Sequence, residues 1–227
     1  MLRDFIALIY PRVCMACGNS LYSGEHCICT FCSYHLPRTH FHLQDDNPVA
    51  RLFWGRIHIR SAASFYYFGK EGKVQRLIHE LKYRGNKQIG TVLGNLYGNE
   101  LMESGAFSSV QCVVPVPLHA QKLKKRGYNQ SEYFARGLAE SMGIECDTRS
   151  LIRRSASESQ TKRSRYRRWE NVESVFAVKD NTLLENKHIL LADDVITTGA
   201  TMEACAGKLL ELKETEVSLA SIAYARI

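Results

Sequence analysis

The chain has 227 residues, of which 45% are hydrophobic and 23% charged, a globular composition that argues against wholesale disorder, collagen and coiled coil. Thirty Lys and Arg against 23 Asp and Glu give a net charge of +7, which favours polyanionic partners such as nucleic acid, an anionic membrane or a phosphate-rich small molecule. No apolar run approaches about 18 residues, and the apolar start around Phe5 is too short for a signal peptide. We therefore expect a cytoplasmic protein without membrane insertion, built on one sizeable core with a small appendage.

Two pairs of closely spaced cysteines lie near the start of the chain. Cys14 and Cys17 are separated by two residues, as are Cys29 and Cys32, and eleven residues lie between the pairs. In a chain without a secretory signal this spacing predicts a tetrahedral, structural zinc site with these four thiolates as ligands. Such a metal would stabilise a segment too short to bury a core of its own.

Two alternatives to this ligand set stay open. Cys27, His26 or His35 could replace one of the four cysteines, or the cysteines could form disulfides in an oxidising compartment. The histidines of the next segment (His40, His42 and His58) match no common ligand spacing and are interpreted as a linker face. We assign residues 1–37 to the zinc-binding module, 38–60 to a linker and 61–227 to the main domain.

From residue 61 onward, apolar runs typical of strands alternate with the 3.6-residue spacing typical of helices. The predicted strands cover 62–68, 110–116, 144–148, 175–178, 188–193 and 216–226. The predicted helices cover 73–83, 87–103, 130–142 and 200–213, and residues 153–171 form a long polar loop. This alternation predicts an α/β fold with a mostly parallel sheet flanked by helices.

The most informative stretch is 188–202. A buried strand brings two adjacent carboxylates, Asp193 and Asp194, to its end, and the loop Thr197-Thr198-Gly199-Ala200-Thr201 then opens a helix. The free N–H groups and positive dipole of a helix start hold phosphate, whereas the acids suit sugar hydroxyls or a metal ion. A strand ending in two acids is also typical of a Walker B motif, but the chain contains no G-x4-G-K-[ST]. The stretch therefore predicts a sugar-phosphate site.

The same stretch resembles the phosphoribosyl-pyrophosphate (PRPP) motif of type I phosphoribosyltransferases. Two further segments narrow the resemblance to the ComF family, as do the paired cysteines. They are Pro115-Val116-Pro117-Leu118-His119 followed by Lys125-Arg126-Gly127-Tyr128-Asn129-Gln130, and the spaced set Gln160, Arg168, Asn171 and Phe176. The resemblance extends over essentially the whole chain.

This resemblance implies a type I phosphoribosyltransferase-like fold and a role for each motif. Asp193 and Asp194 would contact the ribose hydroxyls of PRPP, directly or through Mg²⁺, and residues 197–201 would hold the 5′-phosphate. The candidates for binding pyrophosphate are Arg126, Gly127, Asn129 and Gln130, with Lys124 and Lys125 nearby. A flexible loop over 155–171 would carry the catalytic candidates Gln160, Arg163, Arg168 and Asn171.

The acceptor of the phosphoribosyl group stays open. Purine-salvage relatives carry an Asp at the position of Thr197, which handles a proton of the base, and Thr197 cannot do so. The sequence therefore argues against purine salvage and shows no general base.

A second function is open beside transfer. Seven Lys and Arg lie between Arg153 and Arg168, and Tyr166 and Trp169 are interleaved with Arg165, Arg167 and Arg168. Aromatic rings stack on bases while guanidinium groups contact phosphates, which favours single-stranded DNA. The ComF family is associated with DNA uptake in natural transformation, so the alternative is a non-catalytic protein that binds single-stranded DNA and proteins of the competence machinery.

Overall fold

A five-stranded sheet in which all neighbouring strands are parallel forms the centre of the molecule, confirming the predicted α/β class. The computed structural model describes residues 11–154 and 175–225. Within these ranges the strands are β1 (Ala62–Tyr67), β2 (Cys112–Pro115), β3 (Glu145–Cys146), β4 (Leu151–Arg153), β5 (Phe176–Val178), β6 (His188–Ile196) and β7 (Glu216–Tyr224). The order across the sheet is β1-β7-β6-β2-β3, with β6 and β7 buried along most of their length.

The helices follow the predicted pattern with three additions. In chain order they are α1 (Thr30–His35), α2 (Pro48–Arg51), α3 (Lys73–Tyr83), α4 (Gln88–Glu103), α5 (Ala120–Arg126), α6 (Gln130–Met142) and α7 (Ala200–Leu210), and a 3₁₀ turn covers Phe41–Leu43. The helix predicted over 200–213 ends at Leu210. Helices α1, α2 and α5 were not predicted; α5 has no buried residue and hence no apolar period to detect.

Strand β6 is longer than predicted, and this difference positions the two carboxylates. The expected end at Asp193 was wrong, because pairing with β7 continues as far as Ile196 opposite Tyr224. On the other side, pairing with β2 ends where Pro115 lies opposite Ala192. Asp193 and Asp194 therefore lie within β6, beyond the point where its pairing with β2 ends.

Strands β4 and β5 form a separate antiparallel pair, with Arg153 opposite Phe176. Arg153 therefore belongs to a strand, whereas the predicted loop began there. The remainder of that loop lies outside the described residues from 155 onward, and so do the catalytic candidates and basic or aromatic residues predicted on it. These are Gln160, Arg163, Arg165, Tyr166, Arg167, Arg168, Trp169 and Asn171.

The direction of the crossovers sets the two layers of helices. The chain moves one way across the sheet from β2 through α6 to β3, and the opposite way from β6 through α7 to β7. Right-handed crossovers in opposite directions place the two helices on opposite faces. Helix α6 covers β2 and β6 on one face, and α4 packs closely along α6.

Residues 37–57 pack against the first strand of the sheet. Tyr67 N donates to Pro37 O at 2.9 Å, Thr39 N donates to Phe65 O at 3.0 Å, and the Asn47 side-chain amide donates to Ala62 O at 2.9 Å. Phe53 is fully buried. The division of the chain at residues 37 and 60 stays a prediction. Of the helices within the described ranges, none combines the length and apolar character that crossing a membrane requires.

Candidate functional site

A crevice opens between β2 and β6 at the carboxyl edge of the sheet. The two strands are neighbours, but their crossovers leave in opposite directions, which makes this the topological switch point where open α/β sheets bind ligands. Val116 N still donates to Ala192 O at 2.9 Å, and beyond that hydrogen bond the chains separate. The predicted acid pair follows on one side and the Pro117–His119 turn on the other.

The two carboxylates are held by different helices. Asp193 Oδ1 accepts hydrogen bonds from Ser131 Oγ at 2.7 Å and from the Asp194 backbone N–H at 2.8 Å. Asp194 is 5% exposed, and its Oδ1 lies 2.7 Å from Nζ of Lys82 at the end of α3. No donor among the described residues reaches the buried Asp194 Oδ2. Hydrogen bonds and an ion pair thus fix both carboxylates in place, and Asp194 Oδ2 keeps an unused acceptor among the described residues.

The electrostatics of the pair are asymmetric. Burial and the neighbouring charge of Asp194 raise the pKa of Asp193 to about 7, although Ser131, the Asp194 N–H and Lys82 all lower it. Asp193 therefore lies near its protonation midpoint at neutral pH. A carboxyl group in that state gains most from a ligand that stabilises its charge, such as a sugar hydroxyl or Mg²⁺.

The loop after β6 is built for close approach of an anion. Gly199 is the N-cap of α7 with φ 78°, and Thr197, Thr198, Ala200 and Thr201 are exposed around it. A Cβ at Gly199 would lie 2.8 Å from Cζ of Phe53, so only glycine fits between that ring and the loop. Free backbone N–H groups at the start of this 11-residue helix suit a phosphate.

A basic cavity of about 360 Å³ lies beside the acid pair. Its wall contains four cations and two tyrosines and no carboxylate; the lining residues are Lys82, Tyr83, Gly85, Lys122, Lys125, Arg126 and Tyr128. Lys82 lines this cavity and also contacts Asp194, so the cavity lies next to the acid pair. The predicted pyrophosphate region is therefore adjacent to the predicted ribose region.

The other predicted pyrophosphate residues shape this region. Gly127 ends α5 in the left-handed conformation with φ 80°, and Asn129 caps α6 while donating to Val116 O at 3.0 Å. Gln130 accepts a hydrogen bond from Arg126. The turn after β2 is thereby tied to both helices, and the roles of Arg126, Gly127, Asn129 and Gln130 stay predictions.

The four predicted zinc ligands form one cluster. The Sγ atoms of Cys14, Cys17, Cys29 and Cys32 all lie within 4.8 Å of one another, and Cys17 Sγ lies 3.9 Å from Cys29 Sγ. Four thiolates about 2.3 Å from a central zinc ion would lie about 3.8 Å apart, so these residues fit a structural metal ion such as zinc.

The chemistry of Cys14 supports the same fit. Burial raises the pKa of its thiol, but backbone N–H donors from Cys29, Cys17 and Ala16 outweigh this and lower it to about 7. Neither Cys27 nor a histidine belongs to the cluster, and burial raises the pKa of Cys27 to about 11. All eight cysteines are unpaired, so the disulfide alternative finds no support.

Sequence reasoning missed Lys82, Ser131 and Phe53. Lys82 follows the last apolar position of a helix, Ser131 follows an N-cap, and Phe53 lies in the predicted linker. Each acts through a contact with residues far away in the chain, for which the local pattern carries no signal.

No protein-family model matches the chain. It is 27% identical to "DNA utilization protein YhgH" of Escherichia coli K12 over 223 residues, covering 89% of this chain and 92% of the relative. It is 28% identical to "Competence protein ComFC" of Bacillus subtilis over 209 residues, covering 88% and 78%. "Competence protein F" of Haemophilus influenzae is 29% identical over 117 residues, about half of each chain. Two of these matches span nearly the whole chain, as the resemblance of the motifs implied.

These matches support the resemblance to the ComF family that the sequence motifs indicated. In the structure, contacts of α3 and the turn that follows it connect the paired cysteines to the acid pair. Helix α3 thus links three features: the cysteine cluster, the carboxyl edge of the sheet and the basic cavity.

Proposed function

We propose that this protein is a member of the ComF family that binds PRPP with Mg²⁺ and transfers its phosphoribosyl group to an acceptor still to be identified. The observation that carries the proposal is the arrangement at the switch point, where the acid pair and the phosphate-binding loop border one crevice and a basic cavity adjoins it. A sugar bearing phosphate at both ends needs these three environments side by side.

Each part of the ligand has a counterpart. The 5′-phosphate would be held by residues 197–201 and the start of α7, and the ribose hydroxyls by Asp193 and Asp194. The pyrophosphate would lie towards Arg126, Lys122 and Lys125 of the basic cavity. These cations would stabilise the negative charge that builds up as pyrophosphate leaves.

The donor set also fits Mg²⁺, which prefers carboxylate oxygens and substrate phosphates. Asp193 and Asp194 would hold the ion, whose chemistry would be to neutralise part of the pyrophosphate charge. The catalytic candidates on the predicted flexible loop, Gln160, Arg163, Arg168 and Asn171, remain part of this proposal.

The names of the relatives support a cellular role. Both "DNA utilization" and "competence" concern the handling of DNA, and we propose a cytoplasmic role in DNA uptake or use for this chain. A second candidate function follows: binding of single-stranded DNA and competence partners without catalysis. The cations and the exposed Tyr83 of the basic cavity favour it, because stacking and phosphate contacts together bind single strands.

Calorimetric titration of PRPP with Mg²⁺ tests the first proposal. We expect micromolar binding in the wild type and a loss of about 100-fold in Asp193→Asn/Asp194→Asn, because two charge-assisted contacts are removed. The matched control is Asp45→Asn/Asp46→Asn, which changes an exposed acid pair outside the crevice and should bind normally.

The same proteins separate the two functions. A labelled single-stranded oligonucleotide should bind both acid-pair variants like the wild type, with an affinity that falls steeply as salt rises. No PRPP binding by the wild type would overturn the transferase proposal, and DNA binding without a salt slope would overturn the second.

A further inference from the structure

Helix α3 and the turn after it contact the two residues that lie between Cys14 and Cys17. Arg76 donates to the backbone carbonyl of Ala16 at 3.4 Å, and Asn86, just after the helix, lies 3.7 Å from Sδ of Met15. Met15 and Ala16 are the two residues between the ligands Cys14 and Cys17. The position of the Cys14–Cys17 segment therefore determines whether Arg76 and Asn86 can make these two hydrogen bonds.

The end of the same helix reaches the crevice. Lys82 Nζ lies 2.7 Å from Asp194 Oδ1, and the Lys82 side chain is 21% exposed while that of Asp194 is 6% exposed. The preceding residue Leu81 is fully buried, and its carbonyl accepts a hydrogen bond from Tyr128. Both contacts fix the rotation of the last turn, so Lys82 is aimed at Asp194 by the helix as a whole.

We propose that Lys82 is a positioning residue for the acid pair, and that the metal-bound four-cysteine cluster keeps it in place through α3. Asp194 is almost fully buried, and among the described residues Lys82 is the cation that pairs with it, while no donor reaches Oδ2. A metal ion would fix the Cys14–Cys17 knuckle, and loss of that order would release Arg76 and Asn86. A small shift of α3 then moves the ammonium group away from a carboxylate for which residues 11–154 and 175–225 offer no second cation.

The consequence for ligand binding rests on the proposed function, whereas the coupling itself does not. It is tested first without ligand, by ¹⁵N–¹H NMR of the zinc-loaded full chain, following the backbone amides of Asp194 and Ser131. Lys82→Met should shift both amides, and Lys82→Arg should restore them because a guanidinium group can still pair with Asp194. Lys122→Met is the matched control, a lysine of the same cavity with no described contact to either acid.

The decisive variant is Arg76→Ala/Asn86→Ala, which touches neither a thiolate nor the Asp193–Asp194 pair; Asn86 also donates to Glu80 Oε2 at 2.6 Å. It should keep one zinc ion per chain, measured by metal release, and shift the Asp194 and Ser131 amides in the direction seen for Lys82→Met. Asn86→Ala alone should give a smaller shift in the same direction, so the comparison survives if the double variant folds poorly. Unchanged amides in a zinc-loaded variant would overturn the coupling.

PRPP titration then follows the coupling into the proposed site. Lys82→Met should weaken binding about tenfold and Arg76→Ala/Asn86→Ala about threefold, and adding the latter pair to Lys82→Met should bring no further loss. Additive losses would overturn the route through Lys82. A wild type that binds no PRPP would refute the proposed function, while the amide shifts would still decide the coupling.

Discussion

At the scale of single residues, Asp193 contributes to the stability of the fold in a way opposite to most surface carboxylates. Its pKa in the folded protein, about 7, lies above the ordinary value of 3.8, mainly because burial and the charge of Asp194 oppose ionisation. Such a group stabilises the folded state while protonated. That contribution is complete below about pH 4 and is lost as the pH rises through about 7.

Asp193→Asn should therefore raise the free energy of unfolding above that of the wild type at pH 8 and change it far less at pH 4. Asparagine is neutral at both pH values and can still accept the hydrogen bonds of Ser131 and the Asp194 N–H. Urea denaturation at the two pH values measures this. Asp180→Asn is the control, because hydrogen bonds from Thr182 lower the pKa of Asp180 and this variant should gain no stability at pH 8. A wild type at least as stable as Asp193→Asn at pH 8 would refute the assignment.

At the scale of elements, local patterns predicted β6, α7 and the loop between them because those residues carry their signals in sequence order. The buried apolar residues of β6, the acid pair and Gly199 lie within a dozen residues of one another. Lys82 and Ser131 reach the same carboxylates from helices about 110 and 60 residues earlier in the chain. Their contact depends on how α3 and α6 pack, which the local pattern around β6 does not indicate.

The sequence of α4 nevertheless carries one signal of how it packs against α6. Gly90, Gly94 and Gly98 recur every four residues along α4, and Gly137 faces them from α6. A Cβ at Gly94 would lie 2.8 Å from Cα of Gly137 and closer still to the carbonyl oxygen of Phe134. The two backbones are in contact, and this contact sets the position of the α6 start, where Ser131 meets Asp193.

Gly94→Ala should consequently destabilise the protein by about 3 kcal/mol or more, because backbone atoms cannot move aside as a side chain would. Urea denaturation should show a lower midpoint with an unchanged slope. Gly105→Ala is the matched control: this glycine is exposed with nothing within 4 Å of an added Cβ, and its substitution should cost less than about 0.5 kcal/mol. Equal urea midpoints for the two variants would contradict a close backbone contact between α4 and α6.

At the scale of the whole molecule, residues 37–57 behave as part of the main domain in their contacts, although their composition is that of a linker. Phe53 packs against Gly199 of the proposed phosphate-binding loop (residues 197–201), and the Thr39 N–H donates a hydrogen bond to Phe65 O of β1. Buried residues form one continuous cluster from Cys14 to the strands of the sheet. The unit that unfolds cooperatively should therefore extend well before residue 61.

Two truncated chains would locate its boundary. A chain of residues 36–227 retains the segment that pairs with β1 and covers Gly199, so it should unfold in one cooperative transition at a lower temperature than the full chain. A chain of residues 61–227 loses Phe53, Val49 and the Asn47 bond to Ala62, and exposes the β1 edge and the back of the phosphate-binding loop. We expect no cooperative transition from it, as followed by near-ultraviolet circular dichroism during heating. A cooperative transition in residues 61–227 would instead make residues 38–60 a dispensable linker. The conformation of residues 197–201 would then depend on the sheet alone.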